Sequence, residues 1–236
     1  MKFENTEVFN FEGALRGMRN PMESWDKSDS KWFVNGIDEE GFCVSHFVIG
    51  KNDLKLAQKL IKAGSEHRKF MRQIFVCVDI TAPLYWWKEF DTYKVGTVAN
   101  STSTMHKLAS TPITMDCFEM DDFEDLDTEQ GLQSLREIQW SSLISWLEDL
   151  RRTYNETKDK RYWKELIRLL PESWLQKRTV TMDYENLLAI CSKGQRRFHK
   201  LTEWSTAFIS WARALPYAQE LIFIDELEEK ENDKQM

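Results

Sequence analysis

An α+β fold, a small mixed or antiparallel sheet covered by helices, is what this sequence predicts, and three observations carry the prediction. The run Ile74-Phe75-Val76-Cys77-Val78 is β-branched and aromatic and reads as a buried strand. Leu135, Ile138, Leu143, Trp146, Leu147 and Leu150 recur at helical spacing within residues 132–154. There is no internal repeat and no linker long enough to force a domain boundary. Residues 1–225 therefore read as a single domain, and 226–236 as a charged, frayed tail.

The elements follow in order. Gly17-Met18-Arg19-Asn20-Pro21 and Asp26-Lys27-Ser28-Asp29-Ser30 read as loops, because Asn-Pro and Ser/Asp clusters favour turns. Phe42 to Ile49 reads as a short strand ended by Gly50. Asn52 or Asp53 then caps a helix with Leu54, Leu56, Ala57, Leu60 and Ile61 as its apolar residues, closed by Gly64. The strand between Phe70 and Ile80 runs through Ala82-Pro83 into a helix whose first turn tolerates Pro83 and whose apolar face is Leu84, Trp86, Trp87 and Phe90. Asp121 to Asp127 is an acidic connector. Beyond the long helix lie a second at Tyr162 to Leu170, stopped by Pro171, a third from near Tyr184, and a long final one from about Arg197 to Ala214.

Composition narrows the function. A hydrophobic content of 42% with 30% charged residues suits a globular protein in water. Ten tryptophans and fourteen phenylalanines suit core and interface, or stacking walls around a base or an isoalloxazine ring. The net charge of −7 argues against a nucleic-acid polymer as partner, while a small anion needs only a local positive pocket. Four separated cysteines form no C-x-x-C pair, and no signal peptide or long apolar run is present, so the reading is a cytoplasmic protein with reduced thiols and no membrane segment. His46, His67, His106 and His199 show no metal-binding pairing, and no glycine-rich phosphate loop occurs, so no metal is expected.

The most informative stretch runs from Asp79 to Thr97 and on through Ser101-Thr102-Ser103-Thr104 to Lys107. A strand, Ala82-Pro83, an aromatic helix and a hydroxyl-rich segment follow one another. Later come Leu170-Pro171, Thr181-Met182-Asp183-Tyr184-Glu185-Asn186-Leu187 and a helix carrying Glu203-Trp204. Over roughly Leu54 to Lys107 and Leu169 to Pro216 this order resembles the flavin-dependent thymidylate synthases. The resemblance implies a homotetramer that binds FAD and dUMP between subunits and uses NADPH and a methylene-folate to methylate the uracil ring. The family motif Arg-His-Arg-x-x-Ser-x-Asn-x-x-Ser-x-Arg-Tyr falls on Thr92 to Met105. Lys94 keeps a positive charge there, Thr97 and Thr102 keep hydroxyls, and Tyr93 stands at the histidine. The family's flavin-contacting histidine falls on His67 and its Glu-His pair on Arg72-Gln73. Its flavin-contacting Asn and Arg fall on Asp183 and Glu185, where carboxylates repel a pyrophosphate.

The resemblance thus implies a cofactor side at His67, Tyr93, Lys94, Thr97 and Asp183. It implies a substrate side at Ser101, Ser103 and Thr104, with one of Arg196 or Arg197 on the phosphate of a pyrimidine nucleotide. Hydroxyls donate to phosphate and guanidinium grips it bidentately, so these residue types suit the chemistry. The same Ser/Thr run also reads as a solvated loop or edge strand, and the arginines as a solvated helix start. Tyr85, Trp87 or Tyr93 would stack on a ring. No catalytic side chain is assigned, because in such enzymes the flavin carries the reducing chemistry. The second reading is a family member that has lost catalysis and acts as a binding or regulatory protein.

Overall fold

The computed structural model describes residues 1–37, 40, 43–120 and 132–227. The acidic connector at 121–127, the start of the expected strand at Phe42 and the tail from 228 on lie outside the described residues. The architecture is α+β. Four strands, β1 (Lys2–Phe9), β4 (Phe75–Pro83), β5 (Val98–Ser101) and β6 (Leu175–Asp183), form a sheet in the order β1-β4-β6-β5. A separate antiparallel hairpin pairs β2 (Lys31–Ile37) with β3 (Cys43–Val48) and carries a bulge between Val34 and Gly36. Among the described residues no helix is long and apolar enough to cross a membrane.

The chain divides into two compact units, one from the described residues within 1–2, 79–92 and 99–179, the other from those within 3–78, 93–98 and from 180 on. In the first unit the helices are α3 (Leu84–Phe90), α4 (Thr104–Lys107), α5 (Leu132–Thr157) and α6 (Lys160–Leu169). Leu147 of α5 and Leu166 of α6 are fully buried in one cluster with Leu108, Ile113 and Phe118. Lys158, in left-handed backbone at φ 56°, turns the chain between the two helices, and the Asp159 side chain caps α6 by accepting from the Arg161 amide. The expected apolar stripe of α5 is split. Leu143, Leu147 and Leu150 pack inward, whereas Leu135, Ile138 and Trp146 are 57%, 63% and 51% exposed. Pro83 ends β4 instead of sitting inside the helix, and α3 begins at Leu84, as the missing proline N–H allows.

In the second unit the helices are α1 (Phe11–Arg19), α2 (Lys51–Lys62), α7 (Tyr184–Ile190), α8 (Lys193–Phe198), α9 (Ile209–Arg213) and α10 (Ala218–Leu221). Gly17 to Arg19, expected as a loop, close α1, because Ala14, Leu15 and Met18 bury one face of a continuous helix in spite of its two glycines. The expected strand from Phe70 begins as a 3₁₀ turn at Lys69–Gln73, and only then extends as β4. The expected long final helix is broken into α8, a π-helical turn at Glu203–Phe208, and α9. Strands β1, β2 and β6 were not expected. In β6, Arg178 and Thr179 interrupt the apolar alternation that marks β4, where Val76, Val78, Ile80 and Ala82 are all fully buried.

One buried ion pair organises the start of this unit. Neither Asn52 nor Asp53 caps α2. The amides of Asn52 and Asp53 donate to the Asp29 carboxylate at 2.9 and 3.1 Å, so a distant side chain caps the helix. This releases the Asp53 carboxylate, which is fully buried and accepts from Arg19 Nε at 2.6 Å, Ser28 Oγ at 2.6 Å and Ser30 Oγ at 2.5 Å. Burial pushes this carboxyl up, but the hydrogen bonds from Ser28, Ser30 and Arg19 outweigh it and hold it below its ordinary value of 3.8. Arg19→Ala would strand the buried charge and is expected to cost about 3–5 kcal/mol, seen as a lower urea midpoint. Because folded Asp53 titrates below 3.8, its contribution is present above that pH and is lost as pH falls through it. Asp53→Asn is expected to flatten the acid limb of the stability profile.

Candidate functional site

All five expected cofactor-side residues belong to the second unit, and four of them, Tyr93, Lys94, Thr97 and Asp183, lie in the α7 cap or in the turn packed against it. Asp183 is the N-cap of α7, and it exchanges hydrogen bonds with Asn186 in a capping box. The turn carrying Tyr93, Lys94 and Thr97 lies against this cap. Asn186 Nδ2 donates to the Val95 carbonyl, and a Cβ on Gly96 would stand 2.7 Å from Asp183 Oδ2. Gly96 also has φ 76°, so both backbone conformation and space require glycine there. Burial raises the Asp183 carboxyl above 3.8; the Asn186 amide opposes this, and the neighbouring Glu185 charge adds to it. The Thr97 hydroxyl is buried with no hydrogen-bond partner among the described residues, while Lys94 is exposed.

Tyr93 is half-buried, and its hydroxyl meets His199 Nε2 at 3.0 Å. The His199 ring stacks on Trp204 at 4.5 Å with 14° between planes. In the sequence His199 stands out only as a histidine without a metal-binding pair, and Trp204 only as part of a family-like helix. Trp204 lies in the π turn, which no pattern of spacing announces. Of the two arginines, Arg196 is held at home by Asp225 at 2.9 Å and Glu226 at 3.2 Å. Arg197 is exposed.

His67 is exposed in the turn after α2, where its amide donates to the Gly64 carbonyl at 3.0 Å. It lines a groove of about 920 Å³ together with Met18, Leu56, Leu60 and Phe70, and with Lys27 and Lys69 as cations. That volume lies within the usual range for a small-molecule site. Nearby, the two positions at which the family pattern is reversed in charge face each other. Glu185 pairs with Arg68 at 2.9 Å and with Arg72 at 3.9 Å.

The expected substrate hydroxyls lie in the first unit. Ser101 is exposed at the end of β5, the Ser103 carbonyl accepts from the Lys107 amide to start α4, and Thr104 Oγ1 accepts from Gln176 Nε2 at 3.3 Å. The polar cluster that does form there was missed in the sequence. Trp87 Nε1 donates to the Ala82 and Gln176 carbonyls at 3.1 and 3.0 Å. Arg178 lies over the Trp87 ring at 4.1 Å and pairs with Asp91 at 2.8 Å. Its only sequence signal is a charge set in a strand after an aromatic helix.

The fold and these positions define a class, a helix-covered sheet with an aromatic helix leading into a hydroxyl segment. No protein-family model matches the sequence, and no curated protein matches it. Among solved structures, the flavin-dependent thymidylate synthase ThyX from Helicobacter pylori, complexed with FAD and dUMP, superposes with a TM-score of 0.62. The match covers 95% of this chain and 99% of that one at 16% identity. A second structure of the same enzyme, with FAD and dUMP, gives 0.59 over 95% and 98% at 17% identity. At that identity the likeness establishes a ThyX-like fold.

The residues around α7 do not fit the diphosphate of a flavin dinucleotide. Asp183 and Glu185 present acid where a diphosphate needs donors, and Arg68 and Arg72 are already engaged with Glu185. Asp183→Asn keeps the capping oxygen and removes the charge. Because the folded carboxyl titrates above 3.8, its ionisation works against folding as pH rises. The variant is therefore expected to gain stability over the parent above pH 4, and to show a higher melting temperature at pH 7.

Proposed function

We propose that this chain is a nucleotide-binding protein and that a pyrimidine nucleotide is its ligand. The observation that carries the reading is the likeness of fold, over nearly the full length of both chains, to proteins crystallised with FAD and dUMP. The groove beside His67 supports it, since its apolar walls suit a ring and Lys27 suits a phosphate, Lys69 being paired with Glu66 at 3.6 Å. In its fullest form the reading is reductive methylation of dUMP to dTMP by a cytoplasmic homotetramer using FAD, NADPH and methylene-folate. Lys94, Thr97 and Arg197 would then hold phosphate, with Ser101, Ser103 and Thr104 on the substrate side and Tyr93 stacking on a ring.

The acids at 183 and 185 and the engaged Arg196 favour a second reading, a catalytically silent binding or regulatory protein. Calorimetry with dUMP and with FAD, alongside the visible absorbance of freshly purified protein, separates the two. The expected outcome is dUMP binding that falls roughly tenfold or more in His67→Ala, in keeping with the loss of one ligand-facing hydrogen bond. A flavin band would place methylation ahead. Absence of both flavin and dUMP heat would remove the nucleotide reading.

A further inference from the structure

A second groove, sharing no lining residue with the one beside His67, opens between the start of α1 and the β2–β3 hairpin; its volume is about 820 Å³. Its walls are rings: Phe9, Phe11, Trp32, His46, Phe47 and Tyr217. Trp32 meets Phe47 edge to face at 5.5 Å, and Phe11 meets Tyr217 edge to face at 5.6 Å. Phe9 and Trp32 remain 45% and 53% exposed, so ring surface is left over for a ligand.

Two residues lining this groove hold left-handed backbone, Asn10 at φ 73° and Tyr217 at φ 55°. Each is pinned. Asn10 Nδ2 donates to the Gln73 carbonyl at 2.8 Å, and Gly13 makes room for that side chain, since a Cβ there would lie 2.3 Å from Asn10 Oδ1. The Tyr217 hydroxyl accepts from the Ile49 amide at 2.9 Å. Strain held this firmly concentrates at functional sites.

Two charged groups complete the lining, Glu12 and Arg16, one turn apart on α1. Glu12 Oε2 accepts from Trp32 Nε1 at 3.1 Å, which ties the carboxylate to the ring wall. Arg16 has no carboxylate partner among the described residues.

We propose that this groove is a second nucleotide site and that it takes a guanine mononucleotide. A ring-lined groove with few convergent polar groups is the common form of a small-molecule site, and bases stack on such rings. The Arg16 guanidinium supplies the match to a phosphate. Glu12 chooses the base. Guanine presents adjacent N1–H and N2–H donors to a carboxylate, whereas the uracil N3–H is flanked by two carbonyls that a carboxylate repels. Adenine offers its amino group beside a ring acceptor and stands between the two.

The test is calorimetry of the full chain with GMP, AMP and dUMP, with GMP also titrated in saturating dUMP. The expected order of affinity in this groove is GMP, then AMP, then dUMP, with GMP unaffected by dUMP and by His67→Ala. Arg16→Gln, at an exposed position, is expected to weaken GMP roughly tenfold with an unchanged melting temperature. Glu12→Gln keeps an acceptor for Trp32 and is expected to erase most of the preference for GMP over AMP. No GMP heat, AMP bound as tightly as GMP, or GMP binding indifferent to both substitutions would overturn the proposal. Displacement of GMP by dUMP would also overturn it, by assigning the heat to the first groove, so its failure stays separable from that of the pyrimidine reading.

Discussion

Asp53 is the constraint on which the groove-lining part of the second unit depends. A fully buried carboxylate is stable only when its lone pairs are filled, and here one guanidinium and two serines fill them. The consequence is geometric. Arg19 belongs to α1, Ser28 and Ser30 to the segment entering the hairpin, and Asp53 to α2, so one charge fixes three pieces of chain. Arg19 Nη1 and Nη2 extend the tie to the Ser24 and Lys27 carbonyls, which closes the intervening turn. Both grooves are framed by these pieces: Met18, Arg19 and Asn52 line one, Glu12, Arg16 and Trp32 the other. A core of apolar side chains alone would leave the polar segment between α1 and β2 without a defined path.

Around α7 a different logic operates. The N-terminus of a helix favours negative charge, and Asp183 and Glu185 supply it from within the chain. Asp183 is committed to the cap, while Glu185 is committed to Arg68. An incoming anion therefore meets a terminus already satisfied, at a carboxylate whose ionisation is opposed by burial. Positive charge remains outside that terminus, at Lys94 and Arg197, both exposed. The ThyX-like fold is thus kept while the charge at this terminus is met from within the chain.

In the first unit the aromatic helix acts as structure. Trp86, Trp87 and Phe90 are all but fully buried, and the Trp87 N–H is shared between two carbonyls. Arg178 closes over that ring while answering to Asp91 and Gln176, so its charge is spent locally. Trp87, expected as a stacking face for a ligand, serves as the floor for an arginine.

Much of the fold was legible without coordinates. The buried strand through Val76 and Val78, the helix α2, the long helix α5 and the stop at Pro171 follow from periodicity and from the fixed φ and missing N–H of proline, which are local properties. Strand β6 was not legible, because the side chains of Arg178 and Thr179 are satisfied by Asp91 and Asp79 far along the chain, and local alternation does not show such partners. The site divides the same way. Residue types at Lys94, Thr97, His67 and Arg197 could be named from pattern, but whether each was free or engaged could not. Arg196 and Arg197 are adjacent and chemically identical; only the arrival of Asp225 and Glu226 decides that one is a structural ion pair. Sequence alone determined which elements this protein can form and which functional groups it carries. Tertiary structure decided which of those groups are already partnered, because long-range electrostatic and hydrogen-bond pairing depends on distance in space and leaves no periodic trace along the chain.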